Sequence, residues 1–191
     1  KILPLVDVSG SMGVGSGVTG VTCLEIAIGL GLYLSSKTSS DFKDMFMTFS
    51  TRPKIEVLKG SLQNKYKQLS RANWEMSTNL HGAFEELLSV ATKGRVAPEN
   101  MPDTILILSD MQFNQCVRHD DTALQMIRRK YKGAGYKVPN IVFWNLNSKT
   151  TGSPVKMDDK GVALVSGFSP AIMAQVLGAD PDEFTPLAMM L

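Results

Sequence analysis

The sequence of 191 residues contains only two cysteines and two histidines, and these scarcities close off several kinds of chemistry. Cys23 and Cys116 lack C-x-x-C spacing, so no thiolate set for zinc is present. They read as free thiols of a reduced, intracellular compartment, with a single disulfide left open as the alternative. The two imidazoles, His81 and His119, fall on the first turn of a predicted helix and in a polar Arg118-His119-Asp120 loop. Both positions suit a solvent-facing side chain better than a catalytic one. Surplus charge is scarce too: 20 Lys and Arg against 18 Asp and Glu leave a net +2, too little to argue by itself for a nucleic-acid or membrane partner. No apolar run approaches the ~18 residues of a membrane span, and no signal peptide is visible. Missing motifs exclude more. There is no G-K-[ST] for a P-loop, and Gly10-Ser11-Met12-Gly13 lacks the G-x-S-x-G spacing of a serine hydrolase.

Apolar residues make up 43% and charged residues 20%, the balance of one soluble globular domain with a substantial core. The chain starts with Lys1 directly at a strand, from which it is expected to be a fragment of a longer protein. Apolar runs at residues 2–8, 45–49, 104–109, 138–145 and 162–165 read as strands, and 55–58 as a short alternating one. Helices are predicted over 22–36, 62–72, 80–92 and 121–132, with a last one over about 170–177. In the first, Leu24, Ile28 and Leu32 with Leu24, Ala27 and Gly31 make the apolar stripe, and Gly29 and Gly31 permit close packing on the sheet. The turn Thr51-Arg52-Pro53 is too short for a parallel crossover, so residues 55–58 form an antiparallel edge on an otherwise parallel sheet. The expected fold is α/β: a Rossmann-like, doubly wound, mostly parallel six-stranded sheet with one antiparallel edge strand.

The first strand ends in Asp7-x-Ser9-x-Ser11, one carboxylate and two hydroxyls on a turn that Gly10 and Gly13 allow. These are hard oxygen donors, suited to Mg²⁺ or Mn²⁺ and not to zinc or copper. A plainer role is open as well: Ser9 and Ser11 could merely hydrogen-bond the turn, with Asp7 capping a helix. The strand over 104–109 also ends in a carboxylate, Asp110, and Thr78 lies at or beside the start of the helix over 80–92, where capping alone would explain it. In an open α/β sheet, ligands bind beyond the carboxyl ends of the strands at the switch point. That place can gather Asp7, Ser9, Ser11, Thr78 and Asp110 into an oxygen-only metal site. Gly15-x-Gly17-x-x-Gly20 matches the dinucleotide fingerprint literally. It starts seven residues past the strand, however, and the fingerprint needs its first glycine directly after it.

In order and spacing, these residues resemble the metal-ion-dependent adhesion site of von Willebrand factor A domains. More narrowly, Ser109-Asp110-Met111-Gln112-Phe113, Ile141-Val142-Phe143-Trp144-Asn145-Leu146 and Gly161-Val162-Ala163-Leu164-Val165-Ser166-Gly167-Phe168 resemble an uncharacterised intracellular family, a domain of unknown function. That family is distantly similar to the corresponding domain of Ro RNA-binding proteins. The resemblance implies that Ser9, Ser11 and Thr78 supply hydroxyl ligands and that Asp7 and Asp110 bind directly or through water. It also implies that an Asp or Glu of a protein partner completes the coordination. Two other functions stand against this one. A Mg²⁺-dependent phosphotransferase of the haloacid dehalogenase type would need an acid where Ser9 stands. An RNA- or ribonucleoprotein-associated module would use Arg128, Arg129, Lys130, Lys132 and Lys137, which read equally well as a solvated helix face.

Overall fold

The computed structural model describes residues 1–48, 50–73, 75, 79–110, 121–147 and 162–166. The apolar runs become strands β1 (Ile2–Val6), β2 (Met45–Thr48), β3 (Ile55–Val57), β4 (Thr104–Ser109), β5 (Asn140–Asn145) and β6 (Val162–Ser166). Helices α1 (Cys23–Lys37), α2 (Leu62–Ser70), α3 (Leu80–Gly94) and α4 (Asp121–Gly133) separate them. Two 3₁₀ turns at Gly10–Gly13 and Pro98–Asn100 fall in segments whose sequence reads only as loop. The predicted helix over 170–177 lies outside the described residues.

All six strands form one sheet in the order β3-β2-β1-β4-β5-β6, and every pairing is parallel except β2 with β3. The antiparallel edge is therefore the one the short 51–53 turn requires. From β1 the chain winds one way to β2, then returns to lay β4 on the other side. This makes the carboxyl ends of β1 and β4 the switch point, where the flanking connections diverge and leave a crevice.

Strand alternation divides the core in two. Leu106 and Leu108 of β4 join Val6, Val142 and Trp144 under α1 and α2. Ile105 and Ile107 join Leu3, Leu5 and Phe143 under α3 and α4, with Phe84 and Tyr131 meeting edge to face at 6.3 Å. Because both faces are covered, β4 is buried at every position, as its unbroken apolar run requires.

Helix α1 starts with the capping box its sequence spells. The Thr22 side chain accepts from the Glu25 N–H, and Glu25 accepts from the Thr22 N–H at 2.8 Å. Its buried stripe runs deeper than the predicted Leu24–Ile28–Leu32 line. Ile26, Leu30 and Leu34 are buried, while Leu24 and Leu32 are only partly so, because α1 is packed between the sheet and α2. Gly31 allows the close approach expected of it: a Cβ there would stand 2.7 Å from Val6 Cγ2. Gly29 does not, being exposed with nothing within 4 Å of such an atom, so its expected packing role is corrected. Among the described residues, no helix is long and apolar enough to cross a membrane.

Candidate functional site

Asp7 follows β1, and its N–H donates to Leu108 O at 3.0 Å, which carries the β1–β4 pairing one residue past the strand. Its side chain, 3% exposed, is held from two directions. Oδ1 accepts from the Ser9 N–H at 2.9 Å, and Oδ2 accepts from the Ser109 hydroxyl at 2.7 Å. The first bond is an Asx turn, so Asp7 shapes the turn itself, where the plainer expectation had it capping a helix; the cap position of the 3₁₀ turn is Ser9.

Ser9 stands at the cap of the 3₁₀ turn, yet its side chain makes no capping bond. Its hydroxyl meets that of Ser11 at 3.0 Å, and both residues are half-buried. Met12, fully buried in the same turn, pins it to β4: its sulfur accepts the Asp110 N–H at 3.1 Å. Asp110 itself is 1% exposed. Burial pushes the Asp7 carboxyl above the ordinary range, and the Asp110 charge adds to this, against the pull of the bonds from Ser9 and Ser109.

The structure thus brings four of the five expected residues, Asp7, Ser9, Ser11 and Asp110, to the switch point. Thr78 lies outside the described residues. Its neighbour Asn79 is the cap of α3, accepting the Gly82 N–H at 2.9 Å. The Asn79 N–H donates to Ser50 O just past β2, which draws the start of α3 to the same end of the sheet. Two participants are missed by the sequence reading, Ser109 and Met12. Ser109 becomes visible only through the register: Val6 pairs with Leu108, so the residues after each, Asp7 and Ser109, fall side by side.

Beneath the turn, Cys23 is a buried free thiol donating to Leu146 O at 3.4 Å, and burial, with Asp110, pushes its pKa up. It is therefore held as the thiol, not the reactive thiolate. Cys116 and His119 lie outside the described residues. His81 is partly exposed, 3.6 Å from Glu85. The literal glycine fingerprint folds into a small closed loop, bridged between Gly15 and Thr22 and tied by Ser16 Oγ to Val21 O. The α1 N-terminus behind it is occupied by its own cap, so no phosphate cradle is formed.

The donor set fits a small divalent ion. Octahedral Mg²⁺ with oxygen at 2.0–2.1 Å places adjacent ligands about 2.9 Å apart, and the two serine hydroxyls stand at 3.0 Å. The Asp7 carboxylate, whose ionisation is opposed by burial and by the Asp110 charge, would be relieved by a cation. Among the described residues no three His, Cys, Asp or Glu side chains come together, so an ion here depends on the hydroxyls.

A mostly parallel six-stranded sheet of this order, with one antiparallel edge, is a von Willebrand A-like fold. The chain belongs to the family described as Domain of unknown function (DUF7788), whose model matches residues 1–185. It is 34% identical over 194 residues to the "Uncharacterized protein L728" of Acanthamoeba polyphaga mimivirus, a match spanning all of this chain and 32% of that protein. Its fold is similar to the crystal structure of the Deinococcus radiodurans RO (RSR) protein, with a TM-score of 0.63 and 20% identity over 90% of this chain and 32% of that one. The chain thus spans about a third of the length of each of these proteins.

Proposed function

We propose that this domain binds Mg²⁺ or Mn²⁺ through Ser9, Ser11 and Thr78, with Asp7 and Asp110 directly or through water, and thereby captures an acidic side chain of a protein partner. The observation that carries this is the 3.0 Å pair of serine hydroxyls at the surface of the turn, above two buried carboxylates. A divalent ion held by two acids and neutral hydroxyls supplies an electrophilic position for one more carboxylate. The chain's own residues fix that position. Ser109 turns the Asp7 carboxylate, Met12 anchors the serine turn against β4, and Asn79 sets the start of α3.

The same residues argue for binding and against turnover. A phosphotransferase needs a general acid two residues after its nucleophilic carboxylate, and a serine stands there. The test is titration calorimetry with Mg²⁺ and Mn²⁺, followed by partner capture in Mg²⁺ against chelator. Asp7→Ala abolishes metal binding. Thr78→Ala keeps the ion but weakens the partner complex. Partner affinity that is equal with and without metal rejects the reading.

A further inference from the structure

The second surface with a chemistry of its own lies on α4, on the opposite side of the sheet from α1 and α2. At 100° per residue, the buried Ile127 and Tyr131 define the inward side of α4. Arg128, Lys132 and Arg129 then fall in turn along the outward arc, and all three are exposed. Lys137, just past the helix, is exposed as well. Lys130 sits on the flank toward α3, paired with Glu85, and with Lys93 of α3 it lines a groove of about 330 Å³ between the two helices. Among the described residues, none of Arg128, Arg129, Lys132 or Lys137 makes an ion pair. These four cations outnumber the chain's net charge of +2, so the rest of the molecule is net negative and an approaching polyanion is turned toward α4.

We propose that the outward face of α4, with Lys137 beyond its end and Lys93 at its margin, docks the phosphodiester backbone of a nucleic acid. A protein partner would require an apolar or aromatic anchor at its centre, and Met126 is the one large apolar side chain exposed among the described side chains of α4. A membrane would require an apolar face free to insert, and that of α4 is spent on the core through Ile127 and Tyr131. Phosphates need neither, because their neutralisation by Arg and Lys releases counterions whatever the base sequence.

The experiment uses the full chain, in chelator, with fluorescein-labelled single-stranded RNA of mixed sequence read by anisotropy. Four phosphate contacts give log K a slope of roughly −3 against log salt, so affinity falls about 50-fold between 50 and 200 mM salt. Arg128→Glu with Arg129→Glu weakens binding at least tenfold at 50 mM and brings the slope to roughly −1.5. Lys59→Glu with Lys67→Glu, exposed cations on the α2 side, changes net charge equally and leaves binding near its original value. Circular dichroism of each variant checks that these exposed substitutions keep the fold. The proposal is overturned by no binding at 50 mM salt or by equal loss in the two double variants. Phosphatidylserine vesicles or poly-glutamate competing as well as unlabelled RNA overturns it too.

Discussion

Asp7 has to be nearly buried to sit where two strand ends meet, and burial works against its charge. With Asp110 adding to that, its folded pKa is raised, so stability is lost as the pH rises from the ordinary carboxyl value through the folded one. Above that range the ion-free domain has lost the stability that the protonated carboxyl contributes. Asp7→Asn keeps the size of the side chain and an acceptor for the Ser9 N–H. We expect it to melt a few degrees higher than the original chain in chelator, about 2–4 °C for each kcal/mol relieved, and to show no rise with Mg²⁺. Scanning calorimetry with and without Mg²⁺ checks both halves; a lower melting point in chelator would mean that the turn's hydrogen bonds outweigh the buried charge. Ser109→Ala and Ser11→Ala separate support from ligation. The first strips a buried donor from Asp7 and is expected to cost about 1–3 kcal/mol in urea unfolding. The second removes a half-buried hydroxyl and is expected to lower metal affinity with little change in stability.

At the scale of the elements, α1 offers a paired test of what its glycines do. Gly29→Ala places a methyl in open space on an exposed helix interior, and a gain of about 0.5–1 kcal/mol is expected. Gly31→Ala drives a methyl to 2.7 Å from Val6 Cγ2 and 3.2 Å from Leu69 Cδ2, and a loss of about 1–3 kcal/mol is expected. Denaturant midpoints of the two variants should move in opposite directions. The sequence shows both residues as glycines in one helix and cannot tell them apart, since the difference lies in what each faces. The capping box of α1, by contrast, was fully legible, because all its partners lie within four residues. So was the antiparallel edge, because turn length alone decides it. The 3₁₀ form of Gly10–Gly13 was not, nor was the burial of Met12: both depend on β4, about a hundred residues away in the chain.

For the molecule as a whole, the candidate site gathers segments that are distant in sequence, so occupancy should stabilise the entire fold and not a single loop. At one hundred times its dissociation constant, Mg²⁺ is expected to add about 2.7 kcal/mol, a rise of roughly 5–11 °C in a single calorimetric transition. A transition that splits, with only its first part moving, would show the site to be a local ornament of the turn. The sheet order that makes the site also governs when it can exist. Ser109 meets Asp7 across 102 positions of sequence, with β2, β3, α2 and α3 all made in between. At about 5–20 residues per second, a ribosome needs roughly 5–20 s to cover that interval. Throughout it, the β4 side of β1 stays an open apolar edge and the Asp7 carboxylate lacks both Ser109 and Asp110. Before β4 has emerged and docked, a nascent chain can neither assemble this ion site nor, on the proposed reading, engage a partner.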